Sequence, residues 1–117
     1  MKALFVELPP FSRHRADYLK DEEYRLLQAM LLESPRMGDV IQGTGGLRKV
    51  RWVDKRRGKG KRGGVRIIYY WYAGGAQFWL FTLYDKDEAA DLTADQKKAL
   101  KALLAREVEA RRHGKED

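Results

Sequence analysis

Three cations, Lys49, Arg51 and Arg66, stand in stretches that otherwise read as β-strand, LRKVRWV at 47–53 and VRIIYYWYA at 65–73. Alternation sends Lys49 and Arg51 to one side of the first strand and Val50 and Trp52 to the other, so one face is charged and the other apolar. In a sheet whose other face is core, such cations look outward onto an exposed concavity, where they can hold a phosphate. Crowded cations depress one another's pKa values, so a lysine in such a group can take the proton of a ribose 2′-OH while its neighbours stabilise the phosphorane's charge. That route to RNA cleavage needs neither a histidine nor a metal. The plain alternative is solvent-facing strand charge with no ligand.

Between the two strands runs RRGKGKRGG, residues 56–64, built only of Arg, Lys and Gly. Gly58, Gly60 and Gly63 spell G-x-G-x-x-G, but a dinucleotide fingerprint must open a helix and here a strand follows. The glycines instead let the backbone lie close to a large anionic surface while Lys59, Lys61 and Arg62 reach outward; a solvated hairpin tip is the other reading. Tyr69 to Tyr72 hold four aromatic residues in a row. Tyr69 and Trp71 read as core, whereas Tyr70 and Tyr72 share the side of Arg66 and can stack on bases. A histidine-based triad finds no support, since His14 falls near a helix start and His113 near the end of the last helix. The acids Asp85, Asp87, Glu88 and Asp91 precede a helix N-terminus, where negative charge is favoured without any metal.

These residues belong to a chain of 117 residues, a length suited to one domain with a single modest core. Its net charge of +7 is localised: residues 48–66 hold ten Lys or Arg against Asp54 alone, +9, which leaves the remainder near −2. A patch of this kind attracts polyanions, nucleic acid above all. No cysteine is present, so disulfides and cysteine-ligated zinc are excluded. No apolar run is long enough for a signal peptide or a membrane span, and the expected setting is soluble and cytoplasmic.

The elements that must position the cations can be read in order. ALFVEL at 3–8 is an edge strand closed by Pro9-Pro10. A helical region starts near Phe11, and Asp21 caps a helix whose Tyr24, Leu27, Met30 and Leu31 share a face until Ser34-Pro35. GDVIQGTGG at 38–46 reads as loop. Gly74-Gly75 joins VRIIYYWYA to QFWLFTLY as a hairpin. Thr93 and Gln96 form a capping box for a terminal helix carrying Leu100, Leu103, Leu104 and Val108. The expected architecture is α+β, a small antiparallel sheet with an N-terminal helix or helical hairpin and a C-terminal helix, the helices lying on one sheet face.

The succession DVIQGTGGLRKVR, KGKRGG, RIIYYWY and FTLYDKDEAADLT before a terminal helix resembles the RelE superfamily of toxin–antitoxin toxins, in particular its HigB-type branch. The resemblance runs over nearly the whole chain, 1–117. It implies a compact α+β endoribonuclease that enters the ribosomal A site and cuts mRNA, restrained by a cognate HigA-type antitoxin, with no cofactor, metal or membrane involved. Position by position it places the family's catalytic basic pair on Lys49 and Arg51 and its transition-state arginine on Arg66. Lys86, followed by Asp87, stands where the family often has a further arginine, and Thr93 falls near the place of its substrate-stacking tyrosine, a role left to Tyr84 or Tyr70. Neither histidine falls where some HigB toxins use one. Phosphate contacts with RNA and ribosome are expected from Arg48, Lys55, Arg56, Arg57, Lys59, Lys61 and Arg62. Two rival readings use the same surface: a non-catalytic RNA- or ribosome-binding module, and a small domain that pairs with an acidic protein.

Overall fold

The computed structural model describes residues 2–52, 64–86 and 91–112, with the backbone alone for 113–116. Strand β1 is Leu4–Glu7, followed by helices α1, Pro9–Tyr18, and α2, Asp21–Glu33. Strands β2, Asp39–Val40, β3, Arg48–Trp52, β4, Val65–Tyr72, and β5, Gln77–Asp85, precede the terminal helix α3, Ala94–Glu116. They form one sheet in the order β1-β5-β4-β3-β2, antiparallel except for β1, which runs parallel to β5. Pro9 and Pro10 do end β1, but they also begin α1 as its first residues, where a missing N–H costs nothing and the fixed φ suits a helix. The residue at the N-cap of α2 is Lys20 rather than Asp21; its backbone N–H donates to Glu23, while Asp21, Glu22 and Glu23 set three carboxylates at the positive end of the helix.

Both faces of the sheet are covered, which corrects the expectation of helices on one side. Phe11 from α1 with Leu27 and Leu31 from α2 pack against Val50, Ile67, Tyr69, Phe78 and Leu83. On the opposite face Leu104 of α3 packs against Ile68, Trp79 and Phe81, with Leu100, Leu103 and Val108 alongside. The apolar character of β4 on both sides is the physical reason, since a strand buried twice cannot alternate. Val65, Arg66, Ile67, Ile68 and Tyr69 are all buried.

A bulge sets the phase of β5. Ile68 faces Thr82 and Tyr69 faces Leu80, so Phe81 is the extra residue. Leu80 and Leu83 consequently share one core while Phe81 turns to the α3 side. The hairpin joining β4 to β5 turns through Ala73–Gly75, and the left-handed position falls on Ala76 rather than on a glycine. Thr93 and Gln96 make the reciprocal box that starts α3: the Thr93 N–H donates to Gln96 Oε1 at 2.8 Å and the Gln96 N–H to Thr93 Oγ1 at 3.1 Å.

The segment 38–46 is not wholly loop, because Asp39 and Val40 pair with Lys49 and Arg48. Gly38 permits this: its φ is +86°, and a Cβ there would collide with the Lys49 carbonyl oxygen. The buried Thr44 closes the return, donating to the Ile41 carbonyl at 2.6 Å and accepting the Leu47 N–H at 3.2 Å. Upstream, the cross-strand neighbours Arg48 and Tyr69 both spend their polar ends on residues 35–38. Arg48 Nη1 donates to the carbonyls of Arg36 and Gly38 at 2.8 and 3.1 Å, and Tyr69 Oη lies 3.0 and 2.7 Å from those of Pro35 and Met37.

Burial pushes the Tyr69 phenol up to about 12, with the Arg48 charge acting the other way. Because the folded pKa lies above the unfolded one, stability is whole below about pH 10 and declines as pH rises from there towards 12, by about 1 kcal/mol at pH 11. Urea unfolding at pH 9 and pH 11 is expected to show this component in the wild type and to lack it in Tyr69→Phe.

Candidate functional site

The registers of β3, β4 and β5 convert the cations into two rows on the α3 side of the sheet. Arg51, Arg66 and Tyr84 are direct cross-strand neighbours in one row; Lys49, Ile68 and Thr82 form the next, extended by Asp39 of β2. Neighbours in a row lie about 4.8 Å apart along the hydrogen-bonding direction. The sequence therefore places Lys49, Arg51 and Arg66 on one face, and the fold assembles them there.

Their exposures differ. Arg51 is exposed, but Arg66 is only 2% exposed, which corrects the expectation that it looks outward onto an open concavity. Its Nη1 donates to the Gly64 carbonyl at 3.1 Å. Burial, and next the charge of Arg51, lower the Arg66 pKa, while Tyr84, Asp85 and Asp91 act in the opposite sense. A guanidinium remains charged under such a shift. Two like charges directly opposite on a sheet are destabilising. An anion held between them would relieve that repulsion, and one of higher charge would relieve it more.

Lys49 borders a hollow of about 280 Å³ with Asp39, Tyr84, Asp91, Leu92 and Lys97 among its walls. Its Nζ lies 3.5 Å from Asp91 Oδ1, so the charge paired with this lysine is a carboxylate rather than a second cation. The Lys49 side chain is 25% exposed and that of Asp91 77%, and an ion pair so open to water contributes little to stability. Burial, and next the Asp91 carboxylate, raise the Tyr84 phenol above its ordinary pKa while Arg66 pulls it down. Tyr84 accordingly stays protonated at neutral pH and serves as a hydrogen-bond donor.

The other residues singled out in the sequence scatter. Arg48 lies on the opposite side of β3 from Lys49, its guanidinium engaged with the two carbonyls named above. Lys86 is exposed in the turn after β5, its backbone N–H donating to the Gly64 carbonyl at 3.2 Å, which sets it at the Arg66 end of the sheet. Tyr70 is on the α3 side as expected but at the far end, tilted against Trp79 at 5.4 Å; Tyr72 stacks on the same indole at 4.7 Å, and Arg111 covers it at 5.5 Å. Tyr70 is therefore not brought to the Arg51 row. Lys55, Arg56, Arg57, Lys59, Lys61 and Arg62 lie outside the described residues, as do Asp87 and Glu88. His14 is paired with Asp17 on α1, remote in sequence and element from the cations. Among the described residues no three His, Cys, Asp or Glu are grouped as metal ligands, and no helix is long and apolar enough to cross a membrane.

Sequence reasoning missed the hollow's acid and its partner strand. Asp91 reads locally as an acid ahead of a helix, and its approach to Lys49 across 42 positions is set by how α3 docks. The nearest usable signal is the Thr93-Gln96 box, which fixes where α3 starts and hence that Asp91 sits just outside it.

This α+β arrangement, a mostly antiparallel five-stranded sheet with helices on both faces, is similar in fold to solved structures of the RelE toxin. The chain superposes on a double arginine-to-alanine mutant of Escherichia coli toxin RelE in the free state with a TM-score of 0.55 and 15% identity, over 77% of this chain and 90% of that one. The crystal structure of the isolated E. coli RelE toxin gives 0.53 and 14%, over 87% and 99%. The intact E. coli RelBE toxin–antitoxin complex gives 0.51 and 15%, over 70% and 94%. No protein-family model matches the chain.

Proposed function

We propose that this chain is the toxin of a type II toxin–antitoxin system, a single-domain, cytoplasmic member of the RelE superfamily from its HigB-type branch. It acts as a ribosome-dependent mRNA endoribonuclease held in check by a HigA-type antitoxin. The likeness in fold to RelE supports the class, and the RelBE complex supports the existence of an antitoxin. The observation that carries the chemistry is the Arg51–Arg66–Tyr84 row beside Lys49. The 2′-hydroxyl of a nucleotide bound there gives up its proton to water as its oxygen attacks the adjacent phosphorus, the 5′-oxygen leaves and takes a proton from water, and negative charge accumulates on the phosphorane between the two.

Exposed Arg51 and partly exposed Lys49 meet the phosphate directly. Arg66 supplies fixed charge from beneath, where a low dielectric lends it reach. Tyr84 donates to an oxygen of the reacting group, and Lys86 adds charge at the same end of the sheet. The stretch RRGKGKRGG and its flanking cation Lys55 grip ribosomal RNA and message, so that charge reversals there weaken ribosome association and flatten its salt dependence.

Translation of a defined message in a purified system, with and without the protein, followed by primer extension, tests the class. Cut message only when ribosomes are present is the expected result. Message left intact while the protein sits on the ribosome would instead identify a non-catalytic binding module.

A further inference from the structure

Beyond Tyr84, away from Lys49, a second cleft of about 390 Å³ opens between β5 and the first turns of α3. It shares Tyr84, Asp91 and Leu92 with the hollow beside Lys49, whose ionised walls are Asp39, Lys49, Asp91 and Lys97, so these three form a partition with charge of both signs on one side and a largely carbon-lined space on the other. Its carbon walls are Pro10, Phe81, Leu92, Ala99 and Leu100, and its polar groups include Thr82 and Gln96. The bulge in β5 makes it possible: with Phe81 extra, Phe81 and Thr82 present a ring and a hydroxyl side by side on the α3 face instead of on opposite faces. On the helix, Ala99 is small and leaves the space open. Gln96 has its amide oxygen anchored by the Thr93 N–H at 2.8 Å, which leaves the NH₂ group to donate from a held position.

Resting on the RNA reading above, the geometry points to a nucleobase-binding cleft: RNA whose phosphate lies at Lys49 and Arg51 places one adjoining base past Tyr84, between β5 and α3. The volume is that of a small-molecule pocket, and carbon walls with few placed polar groups suit a flat aromatic ring with a polar edge. Proteins that read single-stranded RNA splay out unstacked bases in this way. The held NH₂ of Gln96 favours a base edge that presents an acceptor oxygen or ring nitrogen. An apolar side chain of a partner protein would satisfy the carbon walls alone, whereas a nucleotide satisfies the cleft with its base and Lys49 and Arg51 with its phosphate.

The test is a titration of the purified protein, followed by amide chemical shifts, with each of the four nucleoside 5′-monophosphates and with ribose 5-phosphate. At least one nucleotide is expected to shift the amides of Thr82, Ala99 and Leu100 and to bind at least about fivefold more tightly than the sugar phosphate. Ala99→Trp, a change at an exposed helix position that fills the cleft, is expected to bring nucleotides down to the affinity of ribose 5-phosphate without loss of ribose 5-phosphate binding. Equal affinities in the wild type, unmoved cleft amides, or a nucleotide preference that survives Ala99→Trp would overturn the assignment. Because the assay contains no ribosome and reads binding only, failure to cut mRNA leaves its result untouched, and base-dependent shifts without any response at Lys49 and Arg51 would count against the phosphate site alone.

Discussion

Arg51→Ala is expected to lower single-turnover cleavage of ribosome-bound mRNA by about 10²–10³-fold, the loss typical of one group aimed at developing negative charge. Its stability is expected to stay the same or to rise by about 0.5 kcal/mol, because removing the exposed partner relieves its repulsion with Arg66. Activity and stability thus move in opposite senses, as at sites where strain serves function. Arg66→Ala is expected to lower cleavage by a similar factor, but with a loss of stability, since its side chain fills buried space and its charge is attracted by the wholly buried Asp85. Urea midpoints and single-turnover rates on the same preparations check both. Equal activity in Arg51→Ala and wild type would remove the site from the Arg51 row.

The largest effect on folding is expected at Trp79. Its ring is fully buried, stacks with Tyr72, meets Tyr70, lies under Arg111, and its Nε1–H donates to Gln77 Oε1 at 2.8 Å. Trp79→Ala is expected to cost about 3–5 kcal/mol, from lost burial and the cavity left behind. Against a total of about 5–15 kcal/mol, that change brings the protein close to unfolding at ambient temperature. Urea denaturation followed by far-UV circular dichroism measures it. A loss under about 1 kcal/mol would mean that α3 and Tyr72 do not rely on this ring.

Much of this architecture is legible in the residue order. Alternation in LRKVRWV places Val50 in the core and Arg51 outside, and the same rule separates Tyr69 and Trp71 from Tyr70. The Thr93-Gln96 box is local chemistry and appears in the structure as expected; the hairpin signalled by Gly74-Gly75 also forms, with Ala76 as its left-handed residue. What the residue order conceals is long-range or phase-dependent. The parallel pairing of β1 with β5 joins residues some seventy positions apart, as in Leu4 with Gln77, and nothing local announces it. A bulge at Phe81 shifts the phase of β5, so simple alternation misassigns half that strand.

The burial of Arg66 escapes for a related reason. Period-two patterning says which face a side chain takes, while cover on that face depends on how distant parts of the chain pack. Likewise Arg48 looks like one more cation of the patch, yet the tertiary path of residues 35–38 brings carbonyls to its guanidinium. The acid of the hollow, Asp91, reaches Lys49 only because β3 and the start of α3 converge.

The central claim is that a cationic row promotes attack by a ribose 2′-hydroxyl. It is tested most directly with a message carrying a single 2′-deoxy substitution at the scissile nucleotide, bound to ribosomes and followed in a single turnover. The expected result is no cut at that position, with the unmodified message yielding a 2′,3′-cyclic phosphate and a 5′-hydroxyl. Continued cutting at the deoxy position, or fragments that begin with a 5′-phosphate, would contradict it.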